Sequence, residues 1–125
     1  MKIYTSYFNN LKNLPQDYVP VAICGGVPDW YEGLWTRKVA PKWKFFQEWK
    51  QNYDNNFYIE HFNSEVLDMT TPEIFIDLLK KITNNAENIV LICYEKPDEF
   101  CHRHLVASWI TQKTGIEVTE FNGNK

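Results

Sequence analysis

The sequence predicts a single α/β domain with a mainly parallel sheet of about five strands flanked by helices. Three observations carry this. Strand-like and helix-like segments alternate along the chain, the pattern of βαβ units. The run Ile89-Val90-Leu91-Ile92-Cys93 is continuously apolar, as a strand covered on both faces must be. The segment behind it places Leu105, Val106, Trp109 and Ile110 at i, i+1, i+4 and i+5, a helical spacing. At 125 residues, the whole chain, 1–125, has the size of one domain.

Taken in order, Ile3 to Phe8 is rich in β-branched and aromatic residues and reads as a strand. Asn9 to Tyr18 is polar and reads as a loop or short helical turn. Val19 to Cys24 is a short apolar run without alternation, so a second buried strand is expected. Pro20 belongs at its beginning, because an interior proline removes a ladder donor. Gly25-Gly26 ends it. The long connection Val27 to Pro41 carries Trp30, Tyr31 and Trp35, and connections of that length are often functional. Lys42 to Tyr53 reads as an amphipathic helix with Phe45, Phe46, Trp49 and Tyr53 on its inner stripe. Asn55-Asn56 breaks it, and Phe57 to Phe62 reads as a strand. Thr71 and Pro72 suit the N-cap and first position of a helix. Phe75, Leu78, Leu79 and Ile82 continue it at i, i+3, i+4 and i+7. After the stretch Asn88 to Thr114, Gly115 suits a C-cap, and Ile116 to Phe121 alternates like an edge strand.

Composition narrows the classes. With 5 Trp, 7 Tyr and 8 Phe, much of the core should be aromatic. A net charge of -3 argues against a general nucleic-acid coat protein. Between Trp35 and Lys50, however, Arg37, Lys38, Lys42, Lys44 and Lys50 face only Glu48, a local +4 with Trp35, Trp43 and Trp49 interleaved. Such a mixture suits single-stranded nucleic acid. An odd number of cysteines predicts reduced thiols. The N-terminus has no apolar signal core, and no apolar run reaches the roughly 18 residues of a membrane helix. A soluble cytoplasmic protein without a membrane partner is expected.

Ligands of open α/β sheets sit at the carboxyl ends of strands. Cys24 and Cys93 end the two most apolar strands, and Cys101-His102-Arg103 opens the last helix. Helix N-termini attract anions and lower thiol pKa values, which nominates Arg103 as an anion ligand and Cys101 as a nucleophile. Against this, Asp98 and Glu99 bring negative charge, with Asp98 the preferred cap, and Cys101 also suits packing as a small apolar group. For Arg103 the plain alternative is a salt bridge to Glu95, Asp98 or Glu99. Gly25-Gly26 suits close backbone approach to a ligand, although no phosphate-loop pattern surrounds it. Glu95 and His102 are the favoured acid–base pair; Asp29 and Glu32 are further carboxylates. A zinc set drawn from Cys24, Cys93, Cys101 and His102 or His104 has poor spacing, since adjacent Cys101 and His102 rarely face one ion. No metal or cofactor is predicted.

The stretch Leu91-Ile92-Cys93-Tyr94-Glu95-Lys96-Pro97, followed by Phe100-Cys101-His102-Arg103-His104-Leu105-Val106-Ala107, resembles the signature of domain-of-unknown-function family 488. Ile3-Tyr4-Thr5-Ser6-Tyr7 resembles that family's first strand, and Val19 to Trp35 looks like its bacterial and phage branch. The resemblance implies a compact α/β domain and marks Cys93, Glu95, Cys101, His102 and Arg103. It brings no established activity, although nucleotide- or nucleic-acid-related roles attach to some relatives. Many members carry Asp-x-Arg after the second strand, where this chain has Cys24-Gly25-Gly26.

Two functions follow as expectations. The first is a crevice for an anionic ligand, a nucleotide or nucleic-acid segment. Arg103, Cys93, Gly25 and Gly26 would contact the ligand there, Trp30 or Tyr31 would stack on a base, and Cys101, His102 and Glu95 would supply any chemistry. The second is a non-catalytic interaction module using the Trp30–Trp35 loop.

Overall fold

Five parallel strands form one sheet in the order β3-β2-β4-β1-β5. The computed structural model describes residues 1–96 and 99–121. The strands are β1 (Lys2–Tyr7), β2 (Tyr18–Ala22), β3 (Leu34–Trp35), β4 (Asn88–Cys93) and β5 (Val118–Glu120). The helices are α1 (Trp43–Asn52), α2 (Asn55–Glu65), α3 (Pro72–Ile82) and α4 (His102–Thr114). A 3-10 helix, Phe8–Asn13, follows β1. The α/β reading is correct, and β4 is central, pairing with β1 on one side and β2 on the other.

The pleat of β4 divides the core. Ile89 and Leu91 face the cluster that holds Phe45, Tyr58, Phe62, Phe75, Leu79, Val106 and Ile110, so all four helices contribute to that face. Val90 and Ile92 face a smaller cluster with Phe8, Ala22, Cys24, Leu11 and Tyr31. Here the cover is the 3-10 helix and the loop after β2. Connections that step from β1 towards β3 therefore run over one face, and those that step back towards β5 run over the other. A uniform crossover hand requires that arrangement. It leaves the carboxyl ends of β2 and β4 side by side.

Three expectations change. Phe57–Phe62 is helix, not strand. Asp54 caps α2 by accepting from Asn56 N–H at 3.1 Å and Phe57 N–H at 3.4 Å, and Tyr58 and Phe62 are buried one turn apart. Tyr53, at φ 53°, ends α1 in the left-handed region, so two helices replace a helix and a strand. Next, the Val27–Pro41 connection contains β3, which pairs with β2 from Val21 onward. Pro20 consequently lies inside β2 rather than at its start, but at a point where β3 has not yet begun to pair, so its missing donor is tolerated. Lastly, the edge strand is shorter than expected, and β5 lies parallel to β1. The N-cap and proline expected for α3 are present, with Thr71 Oγ1 accepting from Ile74 N–H at 3.2 Å. Gly115 ends α4 at φ 80°. Among the described residues, no helix is long and apolar enough to cross a membrane.

Candidate functional site

A cavity of about 850 Å³ opens where β2 and β4 end. Its floor is Cys24, Cys93, Glu95, Cys101 and His102, and Gly25 and Gly26 border it. α1 supplies one wall. Trp43, Phe46 and Trp49 recur at i, i+3 and i+6, a spacing that keeps them on neighbouring turns of one side. Their ring centroids are 6.3 Å and 5.8 Å apart in succession, and Phe100 continues the row 5.7 Å beyond Trp49. Arg37, Lys38 and Lys42 line the mouth. Arg37, Lys38, Lys42, Trp43 and Trp49 of the basic, Trp-interleaved segment thus share one concavity with the Cys-His floor, whereas Trp35, Lys44 and Lys50 do not line it.

The expected inner stripe of α1 is only partly core. Phe45 is buried and Phe46 and Trp49 pack partly against the core, whereas Tyr53 is 60% exposed; Trp43, outside that stripe, is 71% exposed. Trp30 and Tyr31 do not border the cavity. They pack edge-on against Phe8, at centroid distances of 5.9 Å and 5.3 Å, and so cover the other face of the sheet. Asp29 and Glu32 are exposed on the same loop and also lie outside the cavity lining. Gly25 O accepts from Arg37 Nε at 2.9 Å, and Gly26 O accepts from the Tyr94 hydroxyl at 3.1 Å. The Gly-Gly turn therefore uses its carbonyls to hold the mouth, and a Cβ on either glycine would meet nothing within 4 Å.

Arg103 is fully buried and is absent from the cavity lining. Nε and Nη2 donate to Glu120 Oε1 and Oε2 at 3.1 Å and 2.9 Å, and Nη1 donates to Glu95 O at 2.6 Å and to Cys93 Sγ at 3.1 Å. Its partner is thus Glu120, on the far edge strand, and not Glu95 or Glu99. Asp98, the expected helix cap and another nominated partner, lies outside the described residues. The residue at the N-cap of α4 is Cys101.

The expectation of three reduced cysteines is corrected. Cys93 and Cys101 form a disulfide, with Cα atoms 7.5 Å apart, and Cys24 is the free, buried one. The strand end and the helix start face each other across the short connection, which the sequence separation of eight does not reveal. Burial pushes the Cys24 thiol up to about 11, so it is a neutral donor, 2.9 Å from Gly26 O. Burial also raises the Glu95 carboxyl, with Glu99 adding to the effect and Arg103 opposing it.

His102 is buried, and desolvation lowers it to about 4, reinforced by Arg103 and His104. Nε2 lies 2.8 Å from Ile23 O. A carbonyl can only accept, so Nε2 carries the proton and Nδ1 presents its lone pair towards Cys101 Sγ, 3.8 Å away. An unfolded histidine titrates near 6.5. Between that value and about 4 the unfolded chain takes a proton that folded His102 refuses, so stability is lost as pH falls through this window. Metal-free, disulfide-intact protein should lose about 3 kcal/mol between pH 7 and pH 4 from this group. Urea midpoints that fall less steeply with pH in His102→Gln would bear this out; identical slopes would refute it.

No curated protein matches this chain, and no solved structure does. A family model does match, over residues 11–114, and its description is "Active DUF488-N3 subclade". That span takes in β2, the whole cavity and α4, so the chain belongs to the DUF488 family.

Proposed function

We propose that the cavity binds a nucleotide or a short segment of single-stranded nucleic acid and presents it to the Cys93–Glu95–Cys101–His102 floor. The observation that carries this is the shared lining: three cations at the mouth, an aromatic row along one wall and titratable groups beneath. Phosphates would lie against Arg37, Lys38 and Lys42, and a base would lie against Trp43 or Phe46, because every base has a face that stacks on an aromatic ring. Thr70 borders the cavity, and its buried Oγ1, which has no hydrogen-bond partner among the described residues, would serve a base edge. Arg103 positions the floor from behind instead of gripping the anion. Glu95, with its raised affinity for a proton, is the group placed to exchange one with a ligand. The word "active" in the description of the matched subclade supports a floor that does chemistry.

Tryptophan fluorescence tests this directly. Short single-stranded oligonucleotides and mononucleotides should quench wild-type emission, and Trp43→Ala should weaken binding about tenfold, since one stacked base is worth roughly 1–3 kcal/mol. Because Trp43 is largely exposed, the variant should keep its fold. Absence of binding by any of these ligands, or affinity that is unchanged in Trp43→Ala, would sink the reading.

A further inference from the structure

We propose that Cys93, Cys101 and His102, with the two cysteines reduced, form a site for one thiophilic divalent cation, best matched by zinc. Sγ of Cys93, Sγ of Cys101 and a ring nitrogen of His102 all lie within 4.8 Å of one another, and all three residues are buried. Thiolate and imidazole are the donors zinc favours. The inference is independent of what the cavity binds.

Three features of the surroundings support it. The first is the histidine. Its Nε2–H is fixed on Ile23 O, which leaves Nδ1 aimed at the sulfurs. Ligating histidines are characteristically held this way, through the nitrogen that does not bind the metal. The second is the placement of the cysteines. Their Cα atoms are 7.5 Å apart, wider than the roughly 4.4–6.8 Å usual for a disulfide. Two Zn–S bonds of about 2.3 Å at a tetrahedral angle separate the sulfurs by about 3.8 Å, a span that this wider placement accommodates. The third is charge. Arg103 Nη1 donates to Cys93 Sγ, and a fixed donor of that kind stabilises a thiolate.

Adjacent residues rarely serve one ion, and that argument set the sequence against a metal here. It fails because Cys101 is not helical. As the N-cap it is extended, at φ −154° and ψ 143°, so its side chain escapes the 100° step that would separate it from His102. Cys24, whose thiol donates to Gly26 O, is not part of the set.

Three protein ligands leave a fourth position open, as catalytic rather than structural zinc sites do. All three residues line the cavity, where Glu95 Oε1 stands 3.9 Å from Cys93 Sγ. Loading begins from the disulfide. A phosphine takes up oxygen from water to become the phosphine oxide, the S–S bond breaks, and two thiols form. The cation then displaces the two thiol protons. The disulfide form cannot hold the ion, so the same pair makes binding conditional on reduction.

Cobalt is the probe. Protein reduced with phosphine under argon, with three free thiols confirmed, is titrated with Co²⁺ and then with Zn²⁺. One equivalent of cobalt should give a thiolate-to-metal charge-transfer band and the visible absorption of a tetrahedral ion, both abolished by zinc. Cys93→Ser, Cys101→Ser and His102→Gln should each weaken binding by about 100-fold or more, whereas Cys24→Ser should leave it unchanged. Unreduced protein should give no band. The proposal is overturned if fully reduced wild type gives no charge-transfer band, a result that needs no variant to fold. It is equally overturned if the band survives Cys101→Ser or disappears in Cys24→Ser.

Discussion

Arg103→Ala should destabilise the fold by about 3 kcal/mol, the lower end of the roughly 3–5 kcal/mol seen when one member of a buried ion pair is removed. The lower end applies because Arg103 is 0% exposed but the Glu120 side chain remains 22% exposed, and water can partly solvate the carboxylate left behind. The guanidinium does more than pair with Glu120. It also satisfies Glu95 O and contacts Cys93 Sγ, so its loss strips donors from the end of β4 and the connection after it. Glu120 in turn accepts from Thr5 Oγ1 at 2.6 Å, which ties α4, β5 and β1 into one polar network. Chemical denaturation of wild type, Arg103→Ala, Glu120→Gln and the double variant measures the coupling. A loss below about 1 kcal/mol for Arg103→Ala would mean that the pair contributes no more than a surface bridge. Binding by the remaining folded Arg103→Ala should fall much less than stability. A large loss of affinity at undiminished stability would return Arg103 to the role of anion ligand that its place in the sequence suggested.

That reversal shows what the sequence could and could not convey. The strand β4 and the helix α3 were legible because each burial pattern is complete within its own segment: five apolar residues in a row, or four at helical spacing. The place of the cavity was legible for the same reason, since strand ends fall where apolar runs stop. The partner of Arg103 was not. Glu120 lies 17 residues away on an edge strand, and it meets Arg103 only because β5 docks beside β1, a pairing that no local pattern encodes. α2 was missed for a different reason. Asn55-Asn56 looks like a break, yet with Asp54 as cap it is the first turn of a helix, and the Tyr58–Phe62 spacing then carries the helical signal. On α1 the periodicity was right and its meaning only half complete. Aromatic residues on a helix usually mark core, and Phe45 is buried while Phe46 and Trp49 pack partly against the same core, but Phe46 and Trp49, with Trp43, also line a cavity. An excess of aromatics over what one face can bury, beside a local charge of +4, was the signal available.

Removing the three cations at the mouth should produce the largest loss of ligand affinity. Arg37, Lys38 and Lys42 are all exposed, so the triple Arg37→Ala, Lys38→Ala, Lys42→Ala variant should change stability by less than about 1 kcal/mol. Arg37 is the one with structural ties. Its Nε donates to Gly25 O, and its guanidinium lies 4.4 Å from the Trp35 ring centroid. It is thus already oriented, and a phosphate meeting it gains a donor without the full cost of ordering a free arginine. At about 1 kcal/mol for each phosphate contact, the triple variant should bind an oligonucleotide roughly 100-fold more weakly at low salt. A salt titration separates phosphate contact from any other cause. Each phosphate released from a single strand contributes about −0.7 to the slope of log K against log salt, so losing three should flatten that slope by about 2. Weakened binding with an unchanged slope would mean that these side chains shape the mouth without touching phosphate. An unchanged affinity would leave the aromatic row as the sole source of binding. A flattened slope together with tenfold weaker binding in Trp43→Ala would place backbone and base on the two walls of the same cavity, above the floor that Cys93 and Cys101 share.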